Sequence, residues 1–137
     1  PAPAPAPAPA PTAPSVRTLP EPPALPREFR GVWVASVDNI DWPTRRDLST
    51  DAQRAELVAL MDRAAALGLN AILFQVRPAF DALYPSPIEP WSEYLTGRQG
   101  RAPAPEWDPL AEAITLAHAR GIELHAWLNP YRAKHPS

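Results

Sequence analysis

Six carboxylates lie after or within three apolar runs of the sequence. Glycosidic bonds are hydrolysed by two carboxyl groups, about 5–5.5 Å apart for retention of configuration or about 6.5–9.5 Å apart for inversion. Sequence spacing does not measure such distances, and each acid could instead cap a helix, shape a turn or pair with a cation; Asp81, four residues after Arg77, could pair with it. The six residues are Asp38, Asp41, Asp81, Glu89, Glu93 and Glu123.

Tryptophan is the second residue type that points to a ligand. Of five tryptophans, Trp42, Trp91 and Trp107 fall in predicted loops. Flat aromatic rings pack against the apolar faces of sugars, while carboxylate, amide and guanidinium groups bind the hydroxyls. The alternative is that each ring fills a gap between a loop and the core.

The segment "QVRPAFDALYPSPIEPWSEYLTG" (residues 75–97) combines these residue types. A surface connection needs only polar residues and turn residues, whereas this one adds aromatic rings, carboxylates and prolines that fix φ. This mixture is typical of a ligand-binding loop.

Other chemistries find little support in the sequence. Cysteine is absent, which excludes thiolate chemistry and disulfides within the chain, and no Gly-x-Ser-x-Gly turn is present. His118, His125 and His135 do not have the spacing of a zinc site, and no EF-hand pattern supports a calcium or magnesium ion. We therefore predict no cofactor and no metal. A net charge of −2 without a basic block argues against nucleic acid, and no apolar stretch approaches the length of a membrane span.

The apolar runs predict three strands separated by two helices. The strands are "FRGVWVASV" (29–37), "LNAILFQV" (69–76) and "IELHAWLNPY" (122–131). The first helix is expected to begin at Thr50, with Gln53 completing a capping box, and to stop at Gly68. The second is expected to begin at Asp108-Pro109 and to stop at Gly121.

A β-α-β-α-β order with right-handed crossovers gives parallel, adjacent strands. The loop after the first strand has no glycine-rich phosphate motif, and the chemistry-bearing residues follow the strands, so the pattern favours a (β/α)8 barrel over an open nucleotide-binding sheet. Such barrels need about 250 residues. Residues 27–137 are therefore predicted to be the N-terminal part of a larger barrel, with an open edge and an uncovered face.

Polar side chains are expected at the strand ends. Alternation places Gln75 and Arg77 on one side of the second strand, and His125, Trp127 and Asn129 on one side of the third. These groups would face the barrel interior or its mouth. Either they form a hydrogen-bonded layer that fixes the strand ends, or they contact substrate.

The first 26 residues contain eleven of the 21 prolines and open as a Pro-Ala alternation. We predict a disordered, semi-rigid linker of polyproline character over residues 1–26, with a PxxP-type ligand as the alternative. Such a spacer often lies between an export signal or a lipid anchor and a folded domain.

The stretches "EFRGVWVASVDNIDWP", "LNAILFQVRPAFDALYPSPIEPWSEYLTGRQG" and "DPLAEAITLAHARGIELHAWLNPYRA" resemble the opening half of the glycosyl hydrolase-like 10 family. The resemblance implies a (β/α)8 glycosidase-like barrel in exported or lipid-anchored proteins of the bacterial cell envelope. It also implies hydrolysis of peptidoglycan glycan strands, particularly strands without stem peptides. A polysaccharide is thus the expected partner.

The resemblance also suggests site residues, motif by motif. The candidate catalytic residues are Asp38, Asp81 and Glu89. The candidate substrate-binding residues are Asn39, Gln75, Arg77, Tyr84, Trp91, Ser92, His125, Trp127, Asn129 and Arg132.

Barrels of the main glycosidase clan place the proton donor after the fourth strand and the nucleophile after the seventh, which here would lie beyond Ser137. On that plan residues 75–97 form one wall of a glycan cleft, with Gln75 and Arg77 at its floor and Tyr84 and Trp91 as stacking surfaces. The alternative functions are a non-catalytic glycan-binding or wall-attachment protein on the same scaffold, and a truncated product without activity.

Overall fold

The computed structural model describes residues 28–133. The linker predicted over residues 1–26 lies outside the described residues and stays a prediction. The elements, in chain order, are β1 (Gly31–Val34), a 3-10 turn (Val37–Asn39), α1 (Thr50–Ala66), β2 (Ala71–Arg77), α2 (Glu93–Thr96), α3 (Pro109–His118) and β3 (Glu123–Leu128).

The three strands form one parallel sheet in the order β1-β2-β3, as the sequence predicts. Trp33 is in register with Leu73, and Leu73 with His125. β1 is shorter than its apolar run because the chain turns into the 3-10 segment soon after Val34, and β3 ends at Leu128, before its run does. A register irregularity between Gln75 and Arg77 marks the point where β2 and β3 end.

The helix boundaries confirm most of the predicted start and stop residues. Asp108 caps α3 by accepting a hydrogen bond from the amide of Ala111 at 3.0 Å. The capping box predicted at Thr50 is wrong. The N-cap is Ser49, whose hydroxyl accepts from the amide of Ala52 at 3.2 Å, so Thr50 is already helical. The predicted long connection after β2 also contains α2.

Both long helices cover the same face of the sheet. Leu57 and Met61 of α1 and Ala113 of α3 pack against Ile72 and Phe74 of β2, and all five are fully buried. Removing these apolar side chains from water stabilises the packing of the helices on the sheet. The arrangement is a mixed α/β unit, compatible with part of a glycosidase-like barrel.

The opposite face of the sheet is open among residues 28–133. The sequence predicts a buried β1, yet Trp33 is 59% exposed because no described element covers this side. Trp33 makes an edge-to-face contact with Trp127 at 5.0 Å between ring centroids. The two indoles and His125 therefore form a partly aromatic surface on this face.

Candidate functional site

Two loops meet at the carboxyl end of the sheet. We call residues 35–49 the β1 loop and residues 78–108 the β2 loop. The side-chain amide of Asn39 donates to the carbonyl oxygens of Pro43 (2.8 Å) and Tyr94 (2.9 Å), and so joins the two loops. Asp38 and Asn39 both have positive φ, 54° and 53°, which is unusual for residues other than glycine. The Asn39 hydrogen bonds help to hold this turn in place.

The side chain of Gln75, near the end of β2, holds the start of the β1 loop by hydrogen bonds. Its buried Oε1 accepts from the amides of Ser36 (3.0 Å) and Val37 (2.9 Å), while the Ser36 hydroxyl donates to the Gln75 carbonyl at 2.8 Å. These contacts favour the hydrogen-bonded layer over direct substrate contact for this residue. Its Nε2 has no hydrogen-bond partner in the described part of the chain.

Arg77 lies at the end of β2 in a largely enclosed ion pair with Glu89, whose side chain is 17% exposed. Its Nη1 donates to the carbonyl of Asn129 at 2.8 Å, and its guanidinium lies 4.6 Å from the centre of the Phe80 ring. The hydrogen bond to Glu89 is the main cause that raises the pKa of Arg77. Glu89, not Asp81, is therefore the ion-pair partner of Arg77.

Asp81 is 1% exposed, and its Oδ1 accepts from the amide of Ala79 at 2.8 Å. Burial raises the pKa of the Asp81 carboxyl, while hydrogen bonds from Ser92 and Ala79 oppose the rise. An enclosed carboxyl of this kind suits the shaping of the β2 loop. Of the three candidate catalytic acids, Asp38 alone is exposed.

Asp81 gives a prediction about pH. Because its pKa is raised on folding, the folded state holds the proton more tightly, and stability declines as the pH rises above the ordinary aspartate pKa of about 4. Asp81→Asn keeps the acceptor and removes the ionisation. We expect its urea midpoint, relative to the parent, to improve as the pH rises above about 4 and to level off once the folded-state carboxyl of the parent has ionised.

Asp51→Asn is the matched control, because Asp51 is an exposed residue of α1. It removes a surface charge in place of a buried one and should shift the urea midpoint little. An Asp81→Asn midpoint that keeps the same offset from the parent at every pH would show that burial of Asp81 has no effect on its titration.

A short parallel bridge closes the β2 loop on itself. Ala82 is paired with Trp91: the Ala82 amide donates to the carbonyl of Pro90, and the amide of Ser92 donates to that of Ala82, both at 2.9 Å. Ser92 then caps α2. Tyr84 and Trp91 are half-buried and pack against the core with part of each ring, which leaves the remainder at the surface.

The β3 residues lie beside the open face. The His125 ring is 3.2 Å from Glu123 and makes an edge contact with Phe29. The Trp127 indole donates to Asn129 Oδ1 at 2.9 Å, and the Asn129 amide donates to the carbonyl of Pro78 at 3.1 Å. Arg132 is exposed. Asn129 thus links β3 to the β2 loop, and His125 and Arg132 lie outside that network.

Sequence reasoning missed Arg46. Its guanidinium lies between Asp38 (3.5 Å) and Glu93 (3.3 Å) and 5.5 Å from the centre of the Tyr94 ring. Arg46 therefore brings one carboxylate of each loop to the same cation. No motif or spacing distinguishes it from the neighbouring Arg45, so only the folded loop identifies it.

Comparison with known proteins places this chain in a family. The family model described as glycosyl hydrolase-like 10 matches residues 28–136, most of the chain. The chain belongs to the glycosyl hydrolase-like 10 family. The resemblance seen in the sequence motifs is confirmed.

Two named relatives show the extent of the similarity. The chain is 52% identical over 106 residues to "Glycosyl hydrolase YngK" of Bacillus subtilis. The aligned residues are 77% of this chain and 20% of the relative. It is 39% identical over 123 residues to "Glycosyl hydrolase DigH" of Escherichia coli K12. The aligned part is 82% of this chain and 28% of the relative. The chain thus spans between a fifth and three tenths of the length of these proteins.

The structure of residues 28–133 of this glycosyl hydrolase-like 10 chain also bears on metal binding and on membrane-spanning helices. Within residues 28–133, no group of three or more His, Asp or Glu side chains is placed to hold a metal ion. No helix in the same range has the length and apolarity to cross a membrane.

Proposed function

We propose that the protein is a glycoside hydrolase of the bacterial cell envelope that acts on peptidoglycan glycan strands or a related wall polysaccharide. The observation that carries the proposal is the convergence of two loops at the carboxyl end of a parallel sheet, with aromatic rings, carboxylates and arginines at one edge. Family membership and relatives named glycosyl hydrolases support a polysaccharide as the ligand.

The proposed scaffold is a (β/α)8 barrel, of which this chain supplies the first three strands. Two features support it: both long helices cover one face of the sheet, and the other face carries Trp33, Trp127 and His125, which would point to the barrel interior. In such barrels the active site lies at the carboxyl ends of the strands. The chain would then contribute one part of the sugar cleft.

The contacts of the candidate acids bear on catalysis. Asp81 is enclosed and Glu89 is paired with Arg77, so both are better suited to holding the β2 loop than to transferring a proton. We propose that the catalytic pair lies outside residues 28–133. Of the three candidate acids, Asp38 is exposed, so we propose that it binds sugar hydroxyls.

The proposal includes an envelope location. The Pro-Ala composition of residues 1–26 suits a spacer between a folded domain and an export signal or lipid anchor. A second candidate function is a glycan-binding or wall-attachment protein without catalysis. It is favoured because Asp81 is enclosed and Glu89 is paired with Arg77, so neither carboxyl is free to transfer a proton.

The deciding experiment uses the protein expressed from its complete reading frame. It is incubated with intact peptidoglycan, with glycan strands stripped of peptides, and with chitin and cellulose as controls, and new reducing ends are counted. Release from the wall glycans and not from the controls is the expected result. Binding to wall glycans without release of reducing ends would favour the non-catalytic candidate.

Trp91→Ala tests the wall of the cleft. Contacts between aromatic rings are worth about 0.5–1.5 kcal/mol, and we expect a loss of the same order for a ring against a sugar, roughly 2- to 10-fold weaker glycan binding. Trp91→Phe keeps a ring and is the matched control, with thermal unfolding confirming that both variants fold. Unchanged affinity in a folded Trp91→Ala protein would remove Trp91 from the binding site.

A further inference from the structure

Phe80 has a backbone conformation that is unusual for a bulky residue. Its φ is 48°, in the left-handed region that glycine adopts freely. A residue with a large side chain adopts this region rarely and at a cost in stability. Strain of this kind persists only where neighbouring contacts impose it, and it is concentrated at functional sites. The chain therefore keeps an aromatic side chain at a position whose backbone favours glycine.

The turn around Phe80 is imposed by hydrogen bonds on both sides. The Ala79 amide donates to Oδ1 of the buried Asp81 at 2.8 Å. The Leu83 amide donates to the carbonyl of Val76 in β2 at 3.0 Å. These hydrogen bonds do not involve the Phe80 ring, so the ring is not what the turn needs in order to form.

Packing does not explain the ring either. Phe80 is 43% exposed, and it belongs neither to the buried core nor to the side chains packed against that core. The other aromatic residues of the β2 loop are more enclosed: Tyr94 is fully buried, and Tyr84, Trp91 and Trp107 are half-buried. Phe80 thus presents the most exposed aromatic ring of this loop.

Arg77 lies against one side of the Phe80 ring, with 4.6 Å between its guanidinium carbon and the ring centre. This distance suits a cation–π contact. The exposed part of the ring is therefore the side turned away from Arg77. Because Arg77 is paired with Glu89, the ring does not lie over an unbalanced charge, and its free face keeps the negative potential of an aromatic ring. The C–H groups on the apolar face of a sugar are complementary to such a surface.

The ring lies at the end of the sheet where the proposed cleft is formed. Phe80 is three residues after Arg77, the last residue of β2, and Arg77 donates to the carbonyl of Asn129, just beyond β3, at 2.8 Å. The ring therefore lies at the carboxyl ends of two neighbouring strands. In (β/α)8 barrels the substrate binds at that end. Phe80 is not among the residues that the sequence motifs suggest.

From these observations we infer that Phe80 is a further substrate-binding residue, whose ring is a platform for one sugar unit of the glycan. The fixed turn presents the ring in one orientation, so little conformational freedom is lost when a sugar binds. The inference deepens the proposed function and rests on it. The alternative role of the ring is structural, as a cover that keeps water from the Arg77–Glu89 pair. Removal of the ring changes affinity if it is a platform and stability if it is a cover.

Phe80→Gly, in the protein from its complete reading frame, separates these roles. The probe is a tetrasaccharide of alternating N-acetylglucosamine and N-acetylmuramic acid, and binding is measured by calorimetric titration. We expect the affinity to fall about 3- to 10-fold, the order of effect of one aromatic contact. The urea midpoint should stay close to that of the parent, because relief of the left-handed strain offsets the freedom that glycine adds to the unfolded chain. A lower midpoint with unchanged affinity would assign the ring the structural role and overturn the platform.

Two other substitutions at Phe80 test the need for a flat ring. Phe80→Tyr keeps such a ring and should retain the affinity of the parent. Phe80→Leu keeps apolar bulk over Arg77 and the same backbone strain but has no flat face, so its affinity should fall as in Phe80→Gly. Phe80→Leu decides the question if Phe80→Gly folds poorly. An affinity equal to that of the parent in Phe80→Leu would overturn the platform.

Ile88→Ala is the matched control, because Ile88 is 89% exposed on the same loop and has no positive φ. It removes an exposed apolar side chain and should leave the affinity unchanged. Equal losses in Ile88→Ala and Phe80→Gly would reduce the effect to general apolar attraction and overturn the platform.

The reducing-end assay separates this inference from the proposed function. Binding of the tetrasaccharide that depends on the Phe80 ring, without glycan cleavage, would keep the platform and reject the hydrolase. Cleavage of wall glycans that is equally efficient in the parent and in Phe80→Gly at low substrate concentration would keep the hydrolase and reject the platform. A parent protein that does not bind the tetrasaccharide would also overturn the platform.

Discussion

Trp42→Ala is expected to lower the free energy of unfolding by about 3–5 kcal/mol, the usual cost of removing a large buried aromatic side chain. Trp42 is 1% exposed and packs against Phe74 and Trp107, with ring centroids 5.5 and 6.3 Å away. Its indole also donates to the carbonyl of Gln53 at 3.0 Å. Trp42 joins the β1 loop to α1 and to the core. Removing its side chain should therefore also disturb the β1 loop at the candidate site and lower glycan turnover. Urea unfolding and glycan turnover measure the two effects.

Two further variants serve as controls for Trp42→Ala. Tyr131→Ala removes an aromatic ring that is 95% exposed and should leave the urea midpoint nearly unchanged. Trp42→Phe keeps most of the packing and loses the hydrogen bond, so its midpoint should fall between those of Trp42→Ala and the parent. A Trp42→Ala protein as stable as Tyr131→Ala would contradict the packing described for the β1 loop.

The second large effect is expected at Arg77. Arg77→Met leaves Glu89 without its cation in an enclosed position, and breaking a buried pair in this way costs about 3–5 kcal/mol. The pair lies near the surface under Phe80, with side chains 11% and 17% exposed, so we expect a smaller loss, about 1–3 kcal/mol. The variant also loses the hydrogen bond to Asn129, and the end of β3 should loosen from the β2 loop.

Arg45→Met provides the matched control for Arg77→Met. Its pair with Asp47 also uses two guanidinium nitrogens, but both side chains are 66% exposed, so its removal should change stability little. The double variant Arg77→Met with Glu89→Leu should recover much of the loss, since no unpaired charge remains. If the double variant were as unstable as Arg77→Met, the unpaired Glu89 charge would not be the cause.

The order of elements could be predicted from the sequence because the local signals agree. Apolar runs rich in β-branched residues gave the strands, and Asp108, Gly68 and Gly121 marked helix ends that the structure confirms. The cap of α1 was misplaced by one residue, since Ser49 and Thr50 are both competent N-caps and composition does not choose between them.

The site was predicted less completely, for physical reasons. Alternation correctly placed Gln75 on the side opposite Phe74, but it carries no information about partners distant in sequence. The contacts of Asn39 with Tyr94 and of Arg46 with Glu93 span 55 and 47 residues and depend on how the loops fold. The roles of the candidate substrate-binding residues, and the barrel itself, stay predictions.

The amide of Asn39 has a consequence for how such sites can be moved between proteins. Because one side chain holds Pro43 of the β1 loop and Tyr94 of the β2 loop, part of the conformation of each loop depends on the other. Grafting residues 78–108 alone onto another parallel-sheet scaffold would leave the Tyr94 carbonyl without this donor. The transferable module is the pair of loops, together with the Gln75 side chain beneath them.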